Sequence, residues 1–177
     1  MTQNRPHASE YAPYYEKYVA LVRDGEIVET LEAQLREMKL LLGTLSEQGA
    51  EFCYAAGKWS VKEVLGHISD QERVFAYRLL RIARGDQTPL AGFDQDEYVK
   101  RGNFSARPLA ELLEEFTAVR RATIALVCSL DGVAWSRRGV ANQKEISARA
   151  LVFLIAGHDL HHRVALQERY FPALPRG

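Results

Sequence analysis

Five histidines stand in the chain: His7, His67, His158, His161 and His162. His158 and His162 are four residues apart, so on a helix both side chains leave one face, a turn from each other. Two imidazoles so placed can share one ion, and neutral imidazole is a good ligand for zinc, nickel, copper or iron. His67 lies on a different stretch of chain and can complete a facial set of three. Three protein ligands leave positions for water or substrate, the pattern of a catalytic rather than a structural site. His161 sits on another azimuth and is expected to support the site or lie at the surface, with an exchange against His162 left open. His7 is set aside.

The opposing reading is plain. A histidine on an apolar face is more often a core residue with a satisfied hydrogen bond, and one i,i+4 pair is a weak signal. Here the pair follows the apolar run Ala150 to Gly157. Burying imidazoles beside that run is costly unless a metal or a partner satisfies them, and this tilts the choice towards metal.

Other motifs carry less. HDLHH reads H-D-x-x-H, near the H-E-x-x-H of zinc proteases, but Asp159 is one methylene shorter than the Glu that acts as base there. FDQDEY at 93–98 is no calcium loop: counting from Asp94, the sixth position is Val99 and the twelfth Ser105. It reads as a solvated loop or a helix start. Serine-hydrolase, Rossmann and P-loop signatures are absent. The row Arg78, Arg81, Arg84 reads as a solvated helix face, with anion binding as the lesser alternative.

The elements that must position these residues are helical. A short helix or lariat is expected over YAPYYEKYVAL. A first long helix runs from Glu26 to Leu45, with Ile27, Leu31, Leu35, Met38 and Leu42 as its buried stripe. Ser60 and Glu63 form a capping-box pattern and start a second helix over Val61 to Ala83, which Gly85 stops. A 23-residue connection, Gly85 to Arg107, is long for a compact domain. It lets the third helix, from Pro108 to Leu130, run parallel to the second. Residues 132–146 form a loop or small hairpin. The fourth helix spans Ser147 to Tyr170. The expected fold is an all-α four-helix bundle, one domain over residues 1–177, with a long crossover between helices 2 and 3.

Composition bounds the function. Lys plus Arg is 23 and Asp plus Glu is 23, so the net charge is zero and no basic stripe invites nucleic acid. No apolar stretch approaches the roughly 20 residues of a membrane span, and the first residues lack a signal-peptide run. A cytoplasmic protein is expected. Two cysteines without CxxC spacing argue against disulfides or a thiolate metal site. Cys128 is expected in the core and Cys53 in a loop.

Three segments resemble the DinB-like family, in particular its YfiT-type branch: KWSVKEVLGHISDQERVFAYRLLRIARGD (58–86), TPLAGFDQDEYV (88–99) and AGHDLHHRVALQERYFPAL (156–174). The opening YAPYYEKYV fits that branch as well. The shared pattern is W-S-x-x-E-x-x-x-H followed late by G-H-x-x-x-H. The resemblance implies up-down-down-up topology, a homodimer, and a divalent metal, zinc or nickel, held by His67, His158 and His162. It also implies a metal-dependent hydrolase or an S-transferase that uses a low-molecular-weight thiol as co-substrate. Asp159 stands where related sequences often carry Glu, which puts a base role there in doubt.

The first functional expectation is therefore a metal-dependent enzyme acting on a small molecule, with no nucleic-acid or membrane partner. Trp59, Phe93 and Tyr98 are candidate pocket walls. Asp70, Gln71 and Asp159 lie near the ligands in sequence, and none is assigned as base. The rivals are a non-catalytic metal-binding or dimerisation bundle, and a helical interaction protein with core histidines.

Overall fold

Ser60 opens the longest helix with a reciprocal cap. Its hydroxyl accepts the Glu63 N–H at 3.2 Å, and the Glu63 carboxylate accepts the Ser60 N–H at 2.7 Å. The helix stops at Ala83, and Gly85 turns the chain away at φ 83°. The computed structural model describes residues 5–174. Its helices are α1 (Glu16–Val19), α2 (Ile27–Leu42), α3 (Glu47–Ala50), α4 (Val61–Ala83), α5 (Gln95–Arg101), α6 (Leu109–Cys128) and α7 (Ala148–Ala165). One hairpin, β1 (Arg138–Ala141) with β2 (Lys144–Ser147), precedes α7. No helix among the described residues is long and apolar enough to cross a membrane.

The four long helices α2, α4, α6 and α7 form the bundle in up-down-down-up order. α4 packs against α6 and α7, and so does α2, so α2 and α4 face each other across one diagonal. The long connection makes this order possible by returning the chain to the starting end of α4. It is not structureless: Asp94 caps α5 by accepting the N–H groups of Asp96 and Glu97. The hairpin closes through Asn142 and Gln143, both at positive φ (50° and 63°), as a two-residue turn matched to strand twist requires.

Several boundaries and burials differ from the expectations. The first long helix ends at Leu42, and the next residues fold into α3 on a Ser46 cap. The last helix is α-helical to Ala165 and continues over Leu166–Tyr170 as a wider π turn. Cys128 is exposed at the end of α6 rather than in the core, while Cys53 lies in a loop and is also exposed. Arg78 is buried, not solvated, whereas Arg84 is exposed as expected.

The apolar core falls into two clusters. One gathers Ile27, Leu31, Phe75, Leu79, Val152 and Ile155; the other gathers Met38, Leu42, Leu65, Ile68, Leu112 and Phe116. At their junction every long helix contributes a buried polar side chain: Gln34, Glu72, Arg120 and Asp159. Arg120 is fully buried and uses all five of its N–H donors. Nε donates to Glu72, Nη2 to Glu72 at 2.8 Å and to Asp159 at 3.0 Å, and Nη1 to Gln34 at 3.0 Å and the Leu31 carbonyl at 3.2 Å. Gln34 in turn donates to the Ala156 carbonyl at 2.9 Å. Burial opposes the Arg120 charge, but the two carboxylates beside it more than offset that cost and hold the guanidinium protonated.

Removing one partner of such a buried set leaves the others uncompensated, a loss of about 3–5 kcal/mol. Arg120→Ala is therefore expected to lower unfolding stability by that amount at neutral pH. Arg120→Lys, which keeps the charge but not the planar fork, should recover only part of it. Urea denaturation followed by circular dichroism checks both.

Candidate metal centre

His67 projects from the second turn of α4, and His158 and His162 from successive turns of α7. The packing of α4 against α7 brings the three rings together. Nε2 of His158 lies 3.1 Å from Nε2 of His67 and 3.1 Å from Nε2 of His162. One nitrogen from each ring falls within 4.8 Å of the other two. The ring centroids are 4.5–4.9 Å apart.

These nitrogens fit a cation better than they fit one another. The single σ position of His158 Nε2 faces two neighbours and can hold one proton or one lone pair, so it cannot make a full hydrogen bond to both. One ion binding imidazoles at about 2.0–2.1 Å spaces their nitrogens roughly 3.0–3.5 Å apart, which accommodates both 3.1 Å separations. The protonation state agrees. Burial pushes the His67 imidazole down to about 4 and the His162 imidazole to about 3, and drives His158 well below its ordinary value. The neighbouring rings add to the shift. All three are neutral at pH 7, with lone pairs available to a metal.

The surroundings are aromatic. The Trp59 ring lies 4.7 Å from that of His67, and Tyr18 packs edge-on against His158 at 5.6 Å and His161 at 5.3 Å. Tyr18 arrives on the N-terminal segment, which crosses α7 where Gly157 stands. A Cβ at Gly157 would run into the Tyr18 carbonyl, so only glycine lets the segment lie so close. Two cavities flank the histidines. One, of about 260 Å³, reaches His158; the other, of about 300 Å³, reaches His162 and is lined by Trp59, Tyr54 and Tyr170.

The structure sorts the remaining candidates. His161 is exposed, edge-on to His162 at 5.1 Å, and is not one of the converging three. Asp159 is turned away: it is fully buried, and its Oδ2 accepts from Arg120. The protease-like H-D-x-x-H reading fails on that orientation, because Asp159 belongs to the Arg120 layer. Asp70 pairs with Arg73, while Gln71 lines the cavity beside His158. Phe93 lines that same cavity, and Tyr98 lines an adjoining cleft that holds no histidine. Tyr18 and the Arg120 layer went unread in the sequence. The layer had a signal, since Gln34, Glu72 and Arg120 each interrupt an apolar stripe at a buried phase.

The model of the DinB superfamily matches residues 30–165, most of the bundle and all three histidines. The chain belongs to the DinB superfamily. Among solved structures, this DinB protein is similar to YfiT from Bacillus subtilis, described as "a probable metal-dependent hydrolase with an unusual four-helix bundle topology". The two share 16% identity at a TM-score of 0.75, over 96% of this chain and 93% of the other. It is also similar to a mycothiol-dependent maleylpyruvate isomerase, with 14% identity and a TM-score of 0.67, over 85% of this chain and 63% of that one. Such distant likenesses establish the fold. No curated protein matches this DinB sequence.

The depressed histidines give the metal-free protein a defined acid response. An unfolded chain takes up protons on these imidazoles from about pH 6.5 downward, whereas the folded triad stays neutral to about pH 4. Stability is then lost as pH falls through that window, because the unfolded state binds more protons. Thermal melts of chelator-treated protein between pH 7 and about pH 4 should show it. The triple variant His67→Ala/His158→Ala/His162→Ala should show a much flatter profile.

Proposed function

We propose that the protein is a metal-dependent enzyme whose divalent ion, zinc or nickel, is held by His67, His158 and His162. The observation that carries this is the convergence of three buried, neutral imidazole nitrogens, one of them 3.1 Å from both others. A water or thiol coordinated to such an ion loses its proton near neutral pH, which supplies a nucleophile for hydrolysis or for thiol transfer. The chain's own residues do the rest. The Arg120 layer fixes α7 on either side of His158, through the Ala156 carbonyl and Asp159. Trp59 and Tyr18 wall the imidazoles and limit the water around them.

Thiol transfer asks least of these residues. Among the described residues no carboxylate joins the three nitrogens, Asp159 is committed to Arg120, and the one acid lining a flanking cavity is Asp96, at His162. A thiol needs no general base once coordinated. The mycothiol-dependent isomerase among the structural neighbours lends the reading support, and the hydrolase description of YfiT supports the alternative. A second reading follows from the site's position between α4 and α7: an ion there also ties the two helices, and its role could be bracing alone.

Purified protein is expected to carry about one ion per chain, lost in each of His67→Ala, His158→Ala and His162→Ala. Elemental analysis checks this, and unchanged metal in all three variants would exclude both readings. Low-molecular-weight thiols with electrophiles, and ester and amide panels, then separate them. Turnover abolished by chelator supports the enzyme; no turnover, with a large drop in melting temperature on chelation, supports the brace.

A further inference from the structure

The cavity beside His158 contains a charge imbalance. Its walls include Lys17, Gln71, Arg78, Asn142 and His158, set among tyrosine and phenylalanine rings, and no aspartate or glutamate among the described residues lines it. Arg78 is only 4% exposed. Its Nη2 donates to the Ala91 carbonyl at 2.8 Å, and among the described residues it pairs with no carboxylate. A guanidinium has five donors and always carries its charge. Burying one without an acidic partner is costly unless an anion completes the site. Every other buried arginine or lysine in the described chain has its acid: Arg120 has Glu72 and Asp159, and Lys62 has Glu47 and Glu51.

Arg78 also stands in register with the metal centre. His67, Gln71, Phe75 and Arg78 follow at four-, four- and three-residue steps, so they share one face of α4. From His67 to Arg78 is about 16 Å along the axis, and the long arginine side chain shortens that reach. Lys17 lies at the same cavity, with Nζ 4.8 Å from the Tyr18 ring centroid, and its charge acts on His158 and His162. The electrostatic field between the two cations favours a negative group.

We infer that the substrate carries a carboxylate, seated on Arg78 in this cavity, with an aromatic or unsaturated body between the tyrosine and phenylalanine rings and its reactive end towards His158. One edge of the guanidinium is occupied by Ala91; the remaining donors present a planar fork that suits a carboxylate's two oxygens. The cavity's volume of about 260 Å³ falls just below the roughly 300–1,000 Å³ of small-molecule sites, which limits the ligand to about a single-ring acid. The inference deepens the enzyme reading and rests on it for the reaction, but the binding of the acid does not require the metal.

Benzoate, benzamide and inorganic phosphate, titrated into purified protein with and without metal, test it. Heteronuclear NMR of the Arg78 Nε–H and the Gln71 side-chain amide reads the site directly. Benzoate should shift both signals in either metal state, and benzamide should not. Arg78→Gln should weaken benzoate about tenfold or more with bound metal unchanged, and Arg78→Lys should fall between. Equal binding of benzamide, tighter binding of phosphate, undiminished binding to Arg78→Gln, or no shift at about 10 mM benzoate would each overturn the inference. If Arg78→Gln does not fold, the benzoate and benzamide comparison on the native chain still decides. Failure of the metal reading shows in the histidine variants' metal content and leaves the metal-free benzoate titration untouched.

Discussion

One buried guanidinium organises this bundle. Arg120 reaches α2, α4 and α7 from α6, and each of its donors is spoken for. Two apolar clusters could pack in more than one rotational setting, because leucine, isoleucine and valine surfaces are tolerant of small slips. A planar fork with fixed acceptors is not. Its partners come from the other three long helices at the junction of the two clusters, so the relative height and rotation of the helices are set at one level. The arrangement is expensive to desolvate, and a well-packed apolar layer could be as stable. What the ionic layer contributes is a single register.

The histidines depend on that register. Ala156 and Asp159 bracket His158 in sequence, and both are tied into the Arg120 layer, one through its carbonyl and the other through its carboxylate. Three nitrogens from two helices converge only if those helices stay in phase, and a displacement of an ångström would spoil ligand geometry whose tolerance is a few tenths. Burial then keeps the imidazoles neutral. Position and protonation state, the two requirements for a histidine ligand, thus come from the same packing.

Much of this was legible in the chain. The Ser60–Glu63 box placed the start of α4, Gly85 its end, and the length of the following connection its parallel neighbour. The four-residue step from His158 to His162 put two of the converging histidines on one face. What stayed hidden involved side chains whose meaning depends on tertiary neighbours. Arg78 looks solvated beside Arg81 and Arg84, because a one-dimensional pattern cannot say that the long connection folds back over the first and leaves the last exposed. Asp159 looks like a base next to a candidate ligand, but a helix turns successive residues by about 100°, and that rotation takes it off the His158 face and onto Arg120. Cys128 reads as a small core residue, but at the last position of α6 it faces solvent while its neighbour Val127 is buried.

Gly157, beside His158, has a consequence for variation within such a fold. The absence of one methyl group there creates the notch in which the N-terminal segment rests, and that segment brings Lys17 and Tyr18 to the centre. A chain with alanine at this place would have to route its opening residues elsewhere. It could keep all three converging histidines and still present a different vestibule to whatever enters. In this architecture the histidine cluster and the shape of its entrance can diverge separately, and the divide lies at a single backbone position.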